Sequence, residues 1–141
     1  MNNTQASILL VEDNPMDVDL ALRAFRKRRL TNPIEVARDG EEALAWIPRW
    51  EAGERVPAVI LLDLKLPRVD GLEVLRQLKE HPEFRRIPIV VLTTSVENED
   101  VARAYELGVN SYIVKPVDFD KFMEVASQIE IYWTVFNARP Q

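Results

Sequence analysis

Residues 58–63 read Ala58-Val59-Ile60-Leu61-Leu62-Asp63, an unbroken apolar run closed by one carboxylate. A run of this length, rich in branched side chains, suits a strand covered on both faces, as in a parallel sheet. The pattern returns upstream as Ser7-Ile8-Leu9-Leu10-Val11 and downstream as Ile87-Pro88-Ile89-Val90-Val91-Leu92. Shorter candidates are Ile34-Glu35-Val36-Ala37 and Ser111-Tyr112-Ile113-Val114.

Helix-period segments separate these runs. The first has a readable start: Asn14 can cap, Pro15 takes the first helical position, Asp17 lies in the first turn, and Val18, Ala21, Leu22 and Phe25 follow at three-to-four spacing. Further helices are expected over Glu41 to about Ala52, Leu72 to Glu80, Asn98 to Leu107 with Gly108 as a left-handed stop, and Phe119 to Phe136. Five strand–helix units in strict alternation predict one α/β domain, a doubly wound five-stranded parallel sheet with five helices on its two faces. Arg49 to Pro57 is the only roomy polar connection, and nothing in it marks a second domain.

Composition narrows the function. The chain has 141 residues, a net charge of -5, no cysteine and four glycines, with 47% hydrophobic and 29% charged residues. That is the profile of an ordinary globular protein with one core. No apolar run reaches the roughly 18 residues of a membrane helix, and the polar start Met1 to Ser7 lacks a secretory pattern, so a cytoplasmic location is expected. Disulfides, iron–sulfur clusters and thiolate chemistry are excluded, and the single histidine, His81, rules out histidine triads and multi-histidine metal sites. Gly40, Gly53, Gly71 and Gly108 stand too far apart for either glycine-rich nucleotide loop. The acidic balance argues against nucleic acid; the local run Arg26-Lys27-Arg28-Arg29 reads as a helix end opposing its dipole.

In an open parallel sheet, ligands bind beyond the carboxyl ends of the strands. Glu12 and Asp13 follow the first strand, Asp63 the third, Thr93 and Thr94 the fourth, and Lys115 the fifth. Each alone could be a loop residue, but together they would converge at one edge. Two carboxylates about 4 Å apart repel by roughly 4 kcal/mol at an effective dielectric near 20, so three need a cation. One lysine still leaves the set at about -2. Oxygen ligands without nitrogen or sulfur select magnesium or calcium, and Mg²⁺ is preferred because it shares its shell with phosphoryl groups.

Four segments, Ile8 to Asp13 (ILLVED), Val59 to Gly71 (VILLDLKLPRVDG), Ile89 to Ser95 (IVVLTTS) and Ser111 to Pro116 (SYIVKP), resemble the receiver domain of two-component response regulators. The likeness runs from about Ser7 to Ile131 and implies the flavodoxin-like strand order 2-1-3-4-5. It makes Asp63 the phosphate acceptor, Glu12 and Asp13 the acidic pair holding magnesium, and Lys115 the cation facing the phosphoryl group. It also implies Thr93 as switch hydroxyl, Tyr112 as its aromatic partner, a cis peptide before Pro116, and the Lys65 backbone carbonyl as a magnesium ligand. Lys65 departs from the usual pattern: its side chain would pair with Glu12 or the phosphate, or point outward. Ser95 lines the same entrance.

The resemblance implies a switch phosphorylated by a histidine kinase, catalysing its own phosphorylation and slow dephosphorylation without being a conventional enzyme. The alternative is a receiver-like interaction module independent of phosphorylation. A flavin protein is disfavoured because Glu12 and Asp13 would repel its phosphate, and an aspartate-nucleophile phosphatase because Lys65 stands where a second aspartate is needed. In the last helix, Phe119, Phe122, Ala126, Ile129, Trp133 and Phe136 form a core stripe, with Met123, Val125, Ile131, Tyr132 and Val135 off it. This surplus is read either as a wide buried face or, in the preferred reading, as the mark of a homodimer surface, with Met123, Ile131, Tyr132, Trp133, Val135 and Phe136 as candidates. The tail Ile129 to Pro140 (IEIYWTVFNARP) resembles stand-alone regulators paired with phytochrome-type histidine kinases. The expected organisation is a single receiver domain over 1–141, with 129–141 as a C-terminal extension and no fused output domain.

Overall fold

The computed structural model describes residues 6–94, 97–115 and 118–137, with side chains through residue 128. The element order is β1 (Ile8–Val11), α1 (Pro15–Lys27), β2 (Ile34–Ala37), α2 (Gly40–Leu44), α3 (Trp46–Glu51), β3 (Val59–Leu62), α4 (Gly71–Glu80), β4 (Ile89–Thr93), α5 (Asn98–Glu106), β5 (Ser111–Val114) and α6 (Phe119–Asn137), with a 3₁₀ turn at Phe84–Arg86. All five strands are parallel, in the order β2-β1-β3-β4-β5. This is the expected flavodoxin-like sheet.

The continuous apolar runs are explained by two cores, one on each face. Leu9, Val11, Ile60, Leu62, Ile89 and Val91 point to one side, under α2, α3, α4 and α5. Their neighbours Ile8, Leu10, Val59, Leu61, Val90 and Leu92 point to the other, under α1 and α6. Side chains alternate across a strand, so burial on both faces demands apolar residues at every position. At about 1.5–3 kcal/mol for each fully buried aliphatic side chain, these central strands dominate the favourable side of folding.

Helix ends follow the sequence closely. Asn14 caps α1, its Oδ1 accepting from the backbone N–H groups of Met16 at 2.9 Å and Asp17 at 3.4 Å. Arg26 and Lys27 occupy the last turn of α1, where cations oppose its dipole. Beyond α5, Gly108 turns the chain at φ +95°, a left-handed conformation that glycine adopts without strain.

Two helical expectations need correction. The helix expected over Glu41 to Ala52 is broken into α2 and α3 at Ala45. Pro48 is the reason: it has no N–H to give to the Leu44 carbonyl four residues back, and its ring crowds that carbonyl. In α6, Val125 is buried and Met123 is half-buried against the α1-side core, although their spacing sets both off the core stripe. At these positions the wide buried face is realised rather than a partner surface, and the Met123 side chain belongs mainly to the core. Side chains of Ile131, Tyr132, Trp133, Val135 and Phe136 lie outside the described residues, as do Ser95 and Pro116.

One close approach ties α4 to the end of β3. A Cβ on Gly71 would lie 2.4 Å from the Asp63 carbonyl oxygen and 2.4 Å from Leu64 Cα. Glycine at the start of α4 lets this helix press on the backbone carrying Asp63. Gly71→Ala is expected to lower stability by about 1–3 kcal/mol through overpacking. A urea midpoint equal to that of the wild type would refute this.

Candidate functional site

Three strand ends place the principal charged groups, and each is held by one more ladder hydrogen bond. The backbone N–H of Glu12 donates to Ala37 O at 2.9 Å, that of Asp63 to Val11 O at 3.0 Å, and that of Lys115 to Thr93 O at 2.8 Å. Residues immediately beyond β1, β3 and β5 thus inherit the rigidity of the sheet. Their side chains meet at its carboxyl edge.

The centre of the cluster is the Lys115 ammonium. Its Nζ lies 2.7 Å from Glu12 Oε1, 2.8 Å from Asp17 Oδ2 and 3.1 Å from Asp63 Oδ2. Glu12 and Asp63 are buried, at 2% and 5% exposure, so their oxygens must find partners in the protein rather than in water. The other Glu12 oxygen accepts from the Asn14 N–H at 3.1 Å, and Asp63 Oδ1 accepts from the Lys65 N–H at 3.0 Å. Both acids are therefore oriented from two sides.

Burial pushes the Glu12 carboxyl up to about 7; its hydrogen bond to Lys115 opposes that rise and the nearby Asp63 charge adds to it. For Lys115, burial works against the ammonium, but hydrogen bonds to Asp17 and Glu12 and the charges of Glu12 and Asp63 outweigh it, leaving its pKa above the usual lysine range. The ammonium is held charged while the surrounding acids remain short of positive charge. A cation with more than one charge would supply the deficit.

The donor set fits such an ion. One oxygen each of Glu12, Asp13 and Asp63 lie within 4.8 Å of one another. Octahedral Mg²⁺ with bonds near 2.1 Å separates neighbouring ligands by about 3 Å and opposite ones by about 4.2 Å, so the three oxygens would draw together around a bound ion. Asp13 is exposed, leaving room for water in the shell. All three acids named from the sequence are brought together, with Lys115.

Thr93 is fully buried at the end of β4. Tyr112 pairs with Val91 across β4 and β5, placing it on the face of the α5-side core, and its ring centroid is 6.3 Å from that of Tyr105. Lys65 turns from the cluster: its Nζ lies 3.4 Å from Asp100 Oδ2 in the first turn of α5, and the Asp100 charge raises its pKa. Of the possible directions for this side chain, the outward one is realised.

The sequence marks Asp17 only as a helix-start residue. Its place in the site comes from the direction of α1, whose first turn begins over the same sheet edge. The one legible signal is its position in that turn, four residues past Asp13. His81, by contrast, is structural: its Nδ1 accepts from the Glu83 and Phe84 N–H groups while Nε2 meets Glu51 at 3.0 Å.

Comparison with known proteins agrees with this geometry. The family described as "Response regulator receiver domain" matches residues 8–127. The chain is 46% identical over 134 residues to the "Probable methanogenesis regulatory protein FilR2" of Methanothrix harundinacea, covering 94% of this chain and 86% of that one. It is 38% identical over 134 residues to the response regulator Rcp1 of Synechocystis sp., covering 94% and 91%. The structure of Mn²⁺-bound Rcp1 superposes with a TM-score of 0.80 over 96% of this chain and 99% of that one, at 37% identity. Phosphorylated RcpA, a cyanobacterial phytochrome response regulator, gives 0.82 at 36% identity, over 98% and 100%.

Replacing Asp13 with asparagine should weaken Mg²⁺ binding by about tenfold or more, equivalent to at least about 1.4 kcal/mol. The same change should raise the melting temperature of the metal-free protein, since it removes one of three mutually repelling carboxylates. Calorimetric titration and thermal melts check the two effects. Undiminished affinity would remove Asp13 from the metal site.

Proposed function

The chain belongs to the response regulator receiver domain family of two-component signalling, and from that membership we propose that Asp63 accepts a phosphoryl group from a histidine kinase in the presence of Mg²⁺. The observation that carries this reading is the Asp63 carboxylate, buried at a strand end within 3.1 Å of a charged lysine and inside a three-carboxylate group. Mn²⁺-bound Rcp1 and phosphorylated RcpA support the metal and the modification.

In the reaction, an Asp63 oxygen attacks phosphorus, the phosphorus–nitrogen bond of the donor phosphohistidine breaks, and the imidazole leaves with its electron pair and takes up a proton. Bound Mg²⁺ would neutralise charge on the transferring oxygens, held by Glu12, Asp13 and Asp63 with the Lys65 carbonyl. Lys115 faces the incoming group from the opposite side and neutralises a further charge. The Lys65 N–H on Oδ1 and the Lys115 ammonium on Oδ2 fix the orientation of the carboxylate for attack. Slow hydrolysis of the acyl phosphate resets Asp63, so the protein catalyses both halves of its own cycle.

The added phosphoryl group carries up to about two negative charges. Thr93 donates its hydroxyl toward them, and Tyr112 turns into the vacated space, changing the surface around β4, α5 and β5. The kinase is of phytochrome type, a reading supported by the likeness to RcpA and by the tail motif. Residues 1–141 act as one receiver in the cytoplasm, with the C-terminal segment 129–141 supplying a homodimer contact through Ile131, Tyr132, Trp133, Val135 and Phe136. No helix among the described residues is long and apolar enough to cross a membrane.

Incubation with Mg²⁺ and a small-molecule phosphodonor is expected to add one phosphoryl group per chain, stable to acid and labile to base. Asp63→Asn should take up none. A wild-type protein that remains unmodified by such donors and by candidate kinases would leave the phosphorylation-independent module instead. Sedimentation of the wild type should give a dimer that Tyr132→Arg converts to monomer. A wild-type monomer at all working concentrations overturns the dimer.

A further inference from the structure

We propose that Asp17 is a positioning residue for phosphoryl transfer: it anchors the Lys115 ammonium on α1 so that the charge stays aimed at the reacting group when Glu12 and Asp63 are otherwise engaged. This rests on the reading of Asp63 as phosphate acceptor and adds a residue to it. An ammonium has three N–H donors, and here three carboxylates surround it at 2.7, 2.8 and 3.1 Å. Two of those acids, Glu12 and Asp63, also belong to the group that could hold a divalent ion. Asp17 alone among the three does not.

That difference sets the role. A divalent ion draws on the charge of Glu12 and Asp63, and phosphorylation turns the Asp63 carboxylate into an acyl phosphate whose negative charge sits on the phosphoryl oxygens instead. Both events loosen the pull of these two carboxylates on a cation carried by a flexible four-carbon stem, and the second draws it toward the phosphoryl oxygens. Asp17 takes part in neither. Its backbone is fixed by the Asn14 cap and by Pro15 at the head of α1, so its short side chain presents a carboxylate at a defined point. Lys115 is pinned at its backbone end by the bond to Thr93 O and at its ammonium end by Asp17. Exchange of Asp63 for a phosphoryl oxygen then needs only a small swing about a retained contact.

The test compares Asp17→Asn, Asp17→Glu and Asp19→Asn with the wild type, following initial phosphorylation rates against phosphodonor concentration at saturating Mg²⁺. Asp19 lies on the same helix, pairs with Arg23 and is remote from Lys115 in its contacts. Asp17→Asn is expected to lower the maximal rate about tenfold, the scale of loss from modest misplacement of a reacting group. Half-saturating donor and calorimetric Mg²⁺ affinity should both stay within about twofold of wild type, the behaviour of a positioning group lost from an intact fold. Asp17→Glu should recover most of the rate, and Asp19→Asn should match the wild type. A maximal rate unchanged in Asp17→Asn overturns the proposal, as does a loss lying wholly in Mg²⁺ affinity or one that Asp17→Glu fails to relieve. A wild type that accepts no phosphoryl group overturns the phosphoacceptor reading and this role together, whereas a reactive wild type with an equally reactive Asp17→Asn overturns this role alone.

Discussion

A single ammonium shared among three carboxylates is the constraint on which this site depends. Lys115 sits beyond β5, Glu12 beyond β1, Asp63 beyond β3, and Asp17 in the first turn of α1. Groups from four places in the chain can meet within hydrogen-bond distance only if the strands carrying them are parallel and in register. The extra ladder bonds at Glu12, Asp63 and Lys115 transmit that register to the charged residues. The sheet acts as a jig for charge.

The arrangement leaves the metal-free protein with too few positive charges for its acids. Burial keeps water from making good the deficit, and the raised pKa of Glu12 expresses it. A group so placed gains more from a divalent ion and a phosphoryl group than it would at an exposed surface, because charge interactions strengthen as local dielectric falls. Lys65 bears on the same balance from outside. By pairing with Asp100 on α5, it withholds a second cation from the acceptor and links the loop after β3 to a helix of another strand–helix unit. With Lys65 half exposed, that pair contributes little to stability. Its consequence is the direction of one charge.

Most of the fold was legible because the signals were local. Runs such as Val59–Leu62 have no polar position to spare, so burial on both faces follows from composition alone. The Asn14 cap and the Gly108 stop act within a few residues of themselves. Where local signals compete, reading is harder. Pro48 outweighed the helical period between Glu41 and Ala52, and a wider core face absorbed Met123 and Val125, whose spacing had suggested a surface.

The candidate site divides along the same line. Glu12, Asp13, Asp63, Thr93 and Lys115 could be named because each ends a strand or stands within two residues of its end, and strand ends are marked in the chain itself. Asp17 and the Lys65–Asp100 pair could not, since they depend on how α1 and α5 lie over the sheet. Sequence by itself determined the alternation of strands and helices and the acids at the strand ends, because hydrophobic period and capping act over a few residues. Only the tertiary structure decided which carboxylates share Lys115 and where Lys65 points, because charge interactions depend on distances between segments as far as 103 residues apart along the chain.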